Sequence, residues 1–220
     1  VSDLKRAAAA EALGSLLLAG VVIGSGIMAS RLAHDDATAL LANTGATAAI
    51  LFVLVTAVGP ISGAHFNPAV TLIMVMRREI SAHAGLLYAA AQVLGCIAGA
   101  ILAHAMFELP LLQQSLSERS GAAQMLSEAV ATFALVTTIL LVSNARPQAT
   151  AGAVSLVIAA GYWWTASTSF ANPAITIARA MSDTFAGIRP GDAPWFVAAQ
   201  IVGALVAAAV CGWLIAARRT

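Results

Sequence analysis

Ser62-Gly63-Ala64-His65-Phe66-Asn67-Pro68-Ala69 and Thr168-Ser169-Phe170-Ala171-Asn172-Pro173-Ala174 are the two stretches on which the reading of this chain turns. Each ends in Asn-Pro-Ala. Asn is a favoured helix N-cap, and Pro fits the first helical position, where no amide donor is needed. A short helix is therefore expected from Asn67 to about Met76 and another from Asn172 to about Met181. At 1.5 Å per residue each would be about 15 Å long, half the thickness of a bilayer's hydrocarbon core.

Everything around these stretches is apolar. Of 220 residues, 60% are hydrophobic and 10% charged, with a mean hydropathy of +0.88. Soluble domains carry about 25% charged residues, and a fold of this size could not hide so much apolar surface from water. The same figures exclude a disordered chain. Two cysteines exclude a disulfide scaffold, and a net charge of +1 leaves no basic face for nucleic acid. Charge-free stretches cover residues 12–30, 37–76, 80–107, 129–145, 147–178 and 193–217. A helix crosses the hydrocarbon in about 17–25 residues. Stretches 37–76 and 147–178 exceed one span yet cannot hold two spans and a loop, and these two contain the Asn-Pro-Ala tripeptides. Each reads as a full span followed by an element that enters the membrane only partway. The expected fold is an all-α membrane protein, one channel-like domain over 1–220, with six transmembrane helices and two re-entrant half-helices.

The two halves repeat each other. Glu11, Asn67 and Gln92 correspond to Glu128, Asn172 and Gln200 at offsets of 117, 105 and 108, so the register drifts only by loop lengths. The repeats cover about 7–107 and 123–217. Three spans per half is odd, so the halves insert with opposite orientation, an arrangement that builds a site at the bilayer midplane. The two half-helices then meet N-terminus to N-terminus, each bringing a dipole charge of about +0.5. A cation or hydrated proton meets a barrier there, while a neutral polar solute meets amide donors. Non-helical backbone before each half-helix is tolerable only where it is buried in protein or lines a cavity.

Six spans place both termini on one side, with Lys5, Arg6, Arg77, Arg78, Arg146, Arg218 and Arg219. The other side holds Arg31, Arg119, Arg179 and Arg189, diluted by Asp35, Asp36, Glu108, Glu118, Asp183 and Asp192. The positive-inside rule puts both termini in the cytoplasm of a plasma (inner) membrane. The first apolar run reads as a span and not as a secretory leader, because Glu11 interrupts it and it is too long. Cys96 and Cys211 lie within spans and read as small buried hydrophobes. His34, His83 and His104 fall near span ends or in a loop and are expected at the interface. Gly20 and Gly24, like Gly95 and Gly99, have the spacing of close helix packing.

With its paired Asn-Pro-Ala motifs, matching glutamates and glutamines, and Ser62-Gly63-Ala64-His65-Phe66 before the first motif, the chain resembles the aquaporins of the major intrinsic protein family over nearly its whole length. That resemblance implies a homotetramer in the lipid bilayer with one pore per subunit, passing small neutral solutes without a cofactor, a metal or any enzymatic step. It implies that the side-chain amides of Asn67 and Asn172 face the pore, and that Glu11 and Glu128 accept hydrogen bonds from the non-helical loops. His65 braces the first of these loops. The family narrows the pore at four positions, which fall here at Thr47, Ala160, Ser169 and Ile175, with Gly161 the alternative to Ala160. Ile175 stands where the family has an arginine. No aromatic ring or histidine is expected beside it, so the filter reads as wide and free of fixed charge. Arg179, one helical turn further out, either lines the vestibule or snorkels away from it. The stretch from Phe170 to Arg189 resembles a bacterial aquaglyceroporin branch linked to arsenic resistance, which implies arsenite and antimonite hydroxides beside glycerol and water as solutes. A secondary transporter, an ion channel opened by the missing arginine, an intramembrane enzyme and an ordinary water or glycerol channel are the alternatives.

Overall fold

The computed structural model describes residues 2–216; Arg218 and Arg219, and the end of the second repeat at 217, lie outside the described residues. The order of elements is α1 (Ser2–Leu32), α2 (Asp36–Ser62), α3 (Pro68–Met76), α4 (Ala82–Met106), α5 (Ala122–Ala145), a 3-10 turn at Pro147–Ala149, α6 (Thr150–Trp164), α7 (Pro173–Ala180) and α8 (Ala193–Ala216). No strand occurs among the described residues.

Helices α1, α2, α4, α5 and α8 are long and apolar enough to cross a membrane. The sixth expected span, α6, has only 15 residues, about 22 Å of rise. It ends in the exposed pair Trp163 and Trp164, residue types that favour the membrane–water interface. The chain leaves the helix at Thr165 because seven further residues must descend non-helically to the second Asn-Pro-Ala.

In lipid, residue size distinguishes inside from outside better than polarity does. Large residues such as Leu86, Leu94 and Leu156 face outward, Leu156 at 71% exposure. Glycines mark the seams. A Cβ on Gly95 or Gly99 would overlap the Ala12 or Leu16 carbonyl across the α1–α4 seam, and one on Gly203 would overlap the Ala129 carbonyl across α5–α8. Gly20 faces Gly99, whereas Gly24 faces Phe107 and Ala103.

The packing is two-fold in pattern. Contacts of α1 with α2 and α4 are mirrored by those of α5 with α6 and α8. Likewise α3 lies on α4 and α8, and α7 on α8 and α4, so each half-helix is gripped by both halves. The segments 108–121 and 181–192 are laced together at one end of the bundle. The Leu116 amide donates to Asp183 Oδ1 at 2.9 Å, the Arg119 amide to Asp192 Oδ2 at 2.9 Å, and the Arg189 amide to the Ser117 carbonyl at 2.7 Å.

His104 departs from its expected interfacial place. It is fully buried, with Nδ1 2.9 Å from the Leu111 carbonyl and Nε2 2.9 Å from Ser182 Oγ. Its partners come from the interlaced loops, so it pins them to α4.

Candidate functional site

The two Asn-Pro-Ala motifs meet inside the bundle. Asn67 and Asn172 are extended, with φ of −154° in both, and cap α3 and α7 with Pro68 and Pro173 at the first turn. Asn67 Oδ1 accepts from the Ala69 amide at 2.9 Å, and Asn172 Oδ1 from the Ala174 amide at 3.0 Å. Each Nδ2 reaches into the other half. Asn67 Nδ2 donates to the Ala171 carbonyl and Asn172 Nδ2 to the Phe66 carbonyl, both at 2.7 Å. An amide nitrogen has two hydrogens. One on each asparagine is thus committed to holding the half-helices together, and the other has no protein partner among the described residues.

The backbone before each motif is bent sharply. Gly63, Ala64 and Phe66 have positive φ in the first loop, and Thr168, Ser169 and Ala171 have it at the matching places in the second. L-residues rarely adopt this geometry, and it turns amides inward where carboxylates hold them. Glu11 accepts from Ser62 Oγ (2.5 Å), the His65 amide (2.9 Å), the Phe66 amide (2.6 Å) and Gln92 Nε2 (2.7 Å). Glu128 repeats the set with Ser167 Oγ (2.6 Å), the Phe170 amide (2.9 Å), the Ala171 amide (2.9 Å) and Gln200 Nε2 (2.6 Å). The glutamines also bond Thr71 and Thr176 on the half-helices, at 2.9 and 2.8 Å. Every oxygen of both carboxylates is thus engaged in holding the loops and the facing glutamines.

A cavity of about 250 Å³ runs beside this junction. Leu18, Leu51, Val70, Leu135 and Ile158 give it apolar walls, and Asn67 and Asn172 both line it. At one end stand His65 and Glu79, with Ser143 and Thr150 opposite. The His65 ring lies edge-on to Tyr88, and its Nδ1 is 3.1 Å from Thr71 Oγ1. At the other end stand Thr47, Tyr162, Ser169, Phe170, Ile175 and Arg179.

Thr47, Ser169 and Ile175 therefore border the cavity, and Arg179 joins them. Ala160 does not. It is exposed on the outer face of α6, two residues from the buried Ile158 and Tyr162. The face of α6 that meets the lumen is Val154, Ile158 and Tyr162, spaced four residues apart as one helical face must be. A count of twelve residues before Asn172 lands on the outward face of α6, because the positions that meet the cavity recur every fourth residue at 154, 158 and 162. Tyr162, ten before Asn172, lines the cavity, and its hydroxyl lies 3.2 Å from Thr47 Oγ1. The alternative, Gly161, instead makes room for Ser169, whose side chain a Cβ there would strike. This end of the cavity is thus richer in hydroxyl groups than the sequence suggested, and an aromatic residue lines it.

Arg179 does not snorkel outward. It is 3% exposed, its guanidinium lies 3.3 Å from the Phe170 ring centroid, and Nε donates to the Ala186 carbonyl. Arg119 takes another side of the same ring at 5.1 Å, with Nε bonded to the Gly187 carbonyl at 2.8 Å. Burial pulls the Arg119 guanidinium below its ordinary pKa, with Glu128 pulling the other way. Sequence reasoning passed over Arg119 because every partner it has lies in distant loops. Among the described residues no cluster of His, Cys, Asp or Glu could hold a metal ion.

Two half-helices joined end to end beside a polar-tipped cavity, within a bundle of apolar helices, define a membrane channel of the inverted-repeat kind. The chain belongs to the major intrinsic protein family, whose model (Major intrinsic protein) matches residues 1–162. Members of that family are membrane channels for small neutral solutes. The chain is 54% identical over 213 residues to Aquaglyceroporin AqpS of Rhizobium meliloti (strain 1021), spanning 97% of this chain and 91% of that protein. It is 30% identical over 170 residues to Aquaporin-5 of Homo sapiens, covering 74% of this chain and 64% of that one. The X-ray structure of the aquaglyceroporin from Plasmodium falciparum superimposes with a TM-score of 0.68 over 93% of this chain and 94% of its own. At 21% identity that last match speaks for the fold alone.

Proposed function

We propose that the protein is a passive channel for small neutral hydroxylated solutes, among them glycerol, water and the undissociated hydroxides of arsenic and antimony. The observation that carries this is the ring at the loop-laced end of the cavity. Three hydroxyl groups, from Thr47, Tyr162 and Ser169, share it with the aliphatic Ile175 at the place where the family has an arginine. Hydroxyls exchange hydrogen bonds with a polyol or a metalloid hydroxide, while the apolar side accepts its carbon or metalloid face. Beyond the ring the solute meets the free N–H of Asn172 and then that of Asn67. Pro68, Ala69, Pro173 and Ala174 fix the half-helices that aim these groups, and Glu11, Glu128 and His65 hold the loops. The likeness to Aquaglyceroporin AqpS supports a pathway wider than one for water alone.

In this reading both termini are cytoplasmic in a plasma membrane, with Arg77 and Arg146 on the inner face, and the channel assembles as a homotetramer in the bilayer. Its function is permeation and not catalysis. Arsenite and glycerol flux into proteoliposomes, wild type beside Ile175→Arg, tests the reading with water permeability measured in the same vesicles. Passage of both solutes by wild type, and a sharp loss of both in the variant with water spared, is the expected result. Vesicles that pass water and neither solute would make this a water channel with an unusual ring.

A further inference from the structure

We propose that Arg179 is the charge-selecting group of the pathway, turning cations away at the loop-laced end where Ile175 offers no charge. The proposal rests on the channel reading above and adds a residue to it. Arg179 is buried, yet it lines the cavity. Nε is spent on the Ala186 carbonyl, and the ring of Phe170 covers one face of the guanidinium. The two terminal nitrogens make no hydrogen bond to protein among the described residues, which leaves their four N–H groups for the lumen. No carboxylate pairs with it: the salt bridges of the described residues involve Arg77 and Arg189 only. The glutamate of this half, Glu128, is already saturated by four donors. Arg119 on the same phenyl ring adds positive charge.

The internal repeat shows that the fold does not demand this charge. At the offset of 105 that pairs Asn67 with Asn172, Val70 answers to Ile175 and Met74 to Arg179. Met74 is also buried and also lines the cavity, at the opposite end. One position thus holds an apolar thioether in one half and an unpaired guanidinium in the other. An ionisable group kept buried and unpaired within a membrane marks a solute or ion pathway. Side chains on a helix lean toward its N-terminus. A long side chain on the last turn of α7 therefore reaches back toward the level of Ile175, and needs no change in the half-helix to do so.

The test is potassium and proton flux through proteoliposomes under a set diffusion potential, with glycerol permeability recorded in parallel. Arg179→Met installs the residue that the repeat itself uses. It is expected to raise cation flux about tenfold or more, the scale on which a lining charge changes local ion concentration. Arg179→Lys is expected to stay as tight as wild type, and Ile175→Arg placed in the Arg179→Met background to restore tightness. Arg179→Gln, which keeps an N–H donor without the charge, gives the same reading should the methionine variant fail to fold. A glycerol-permeable Arg179→Met or Arg179→Gln protein as cation-tight as wild type would overturn the proposal alone. Wild-type vesicles that pass no glycerol would overturn the channel reading, and this proposal with it.

Discussion

Replacing Glu128 by alanine would leave four donors facing a void. Ser167 Oγ and Gln200 Nε2 sit on side chains that can turn to other partners. The Phe170 and Ala171 amides cannot, because Ala171 is held at a φ of 49° and the loop has no slack before Asn172. A buried donor left without a partner costs about 1–3 kcal/mol, so two stranded amides cost about 2–6 kcal/mol. Removing the carboxylate also removes the cost of burying its charge, which places the expected loss in the lower half of that range. At about 2–4 °C per kcal/mol for a chain of this size, the melting temperature in detergent should fall by about 4–16 °C. Glycerol permeability should fall as well, since the same amides position Ser169 and Asn172. Glu128→Gln should lie between wild type and alanine, because one amide oxygen can still accept from one pair of donors. Glu11→Ala should match Glu128→Ala in size, given the identical partner set in the first half. An unchanged melting temperature and flux in Glu128→Ala would refute the idea that the carboxylates hold the loops.

Three other outcomes are expected. Tyr162→Ala should raise permeability to solutes larger than glycerol in vesicle-swelling assays, while Ala160→Leu, on the outer face of α6, should leave the size cut-off unchanged. Thr168→Gly should raise the melting temperature, because a β-branched residue at a φ of 62° stores about 1–2 kcal/mol that glycine, present as Gly63 in the other half, does not. Asp192 is held below the ordinary carboxylate value: burial pushes it up, but the Arg119 amide and the Arg189 guanidinium outweigh that. A lowered value in the fold means a contribution fully present above the unfolded pKa of about 4 and lost as pH falls through the folded one. Wild type should therefore lose melting temperature below about pH 4 more steeply than Asp192→Asn.

The features legible in the sequence are those that the repeat states twice. Asn67 with Asn172, Glu11 with Glu128 and Gln92 with Gln200 announce one another, and the half-helices begin where Pro68 and Pro173 require. Features set by which helix face meets the cavity, or by distant contacts, were not legible. Ala160 follows from a count along a family spacing, and such a count does not say which face of α6 meets the cavity. The alternation of Val154, Ile158 and Tyr162 with the outward Leu156 carried the signal, but in lipid both faces are apolar and the pattern is faint. The burial of His104 and the role of Arg119 are not legible because their partners, Ser182 and Gly187, lie 78 and 68 residues away. The spacing puts Arg179 on the face of Ile175, and the contact with Phe170 is what turns its side chain inward.

The most direct measurement is stopped-flow light scattering of wild-type proteoliposomes across a series of glycerol gradients, with and without an imposed proton gradient. A passive pathway through the Asn67–Asn172 junction should give flux well above that of empty vesicles, linear in the glycerol gradient and indifferent to the proton gradient. Flux that saturates and follows the proton gradient would contradict it and make the protein a coupled transporter.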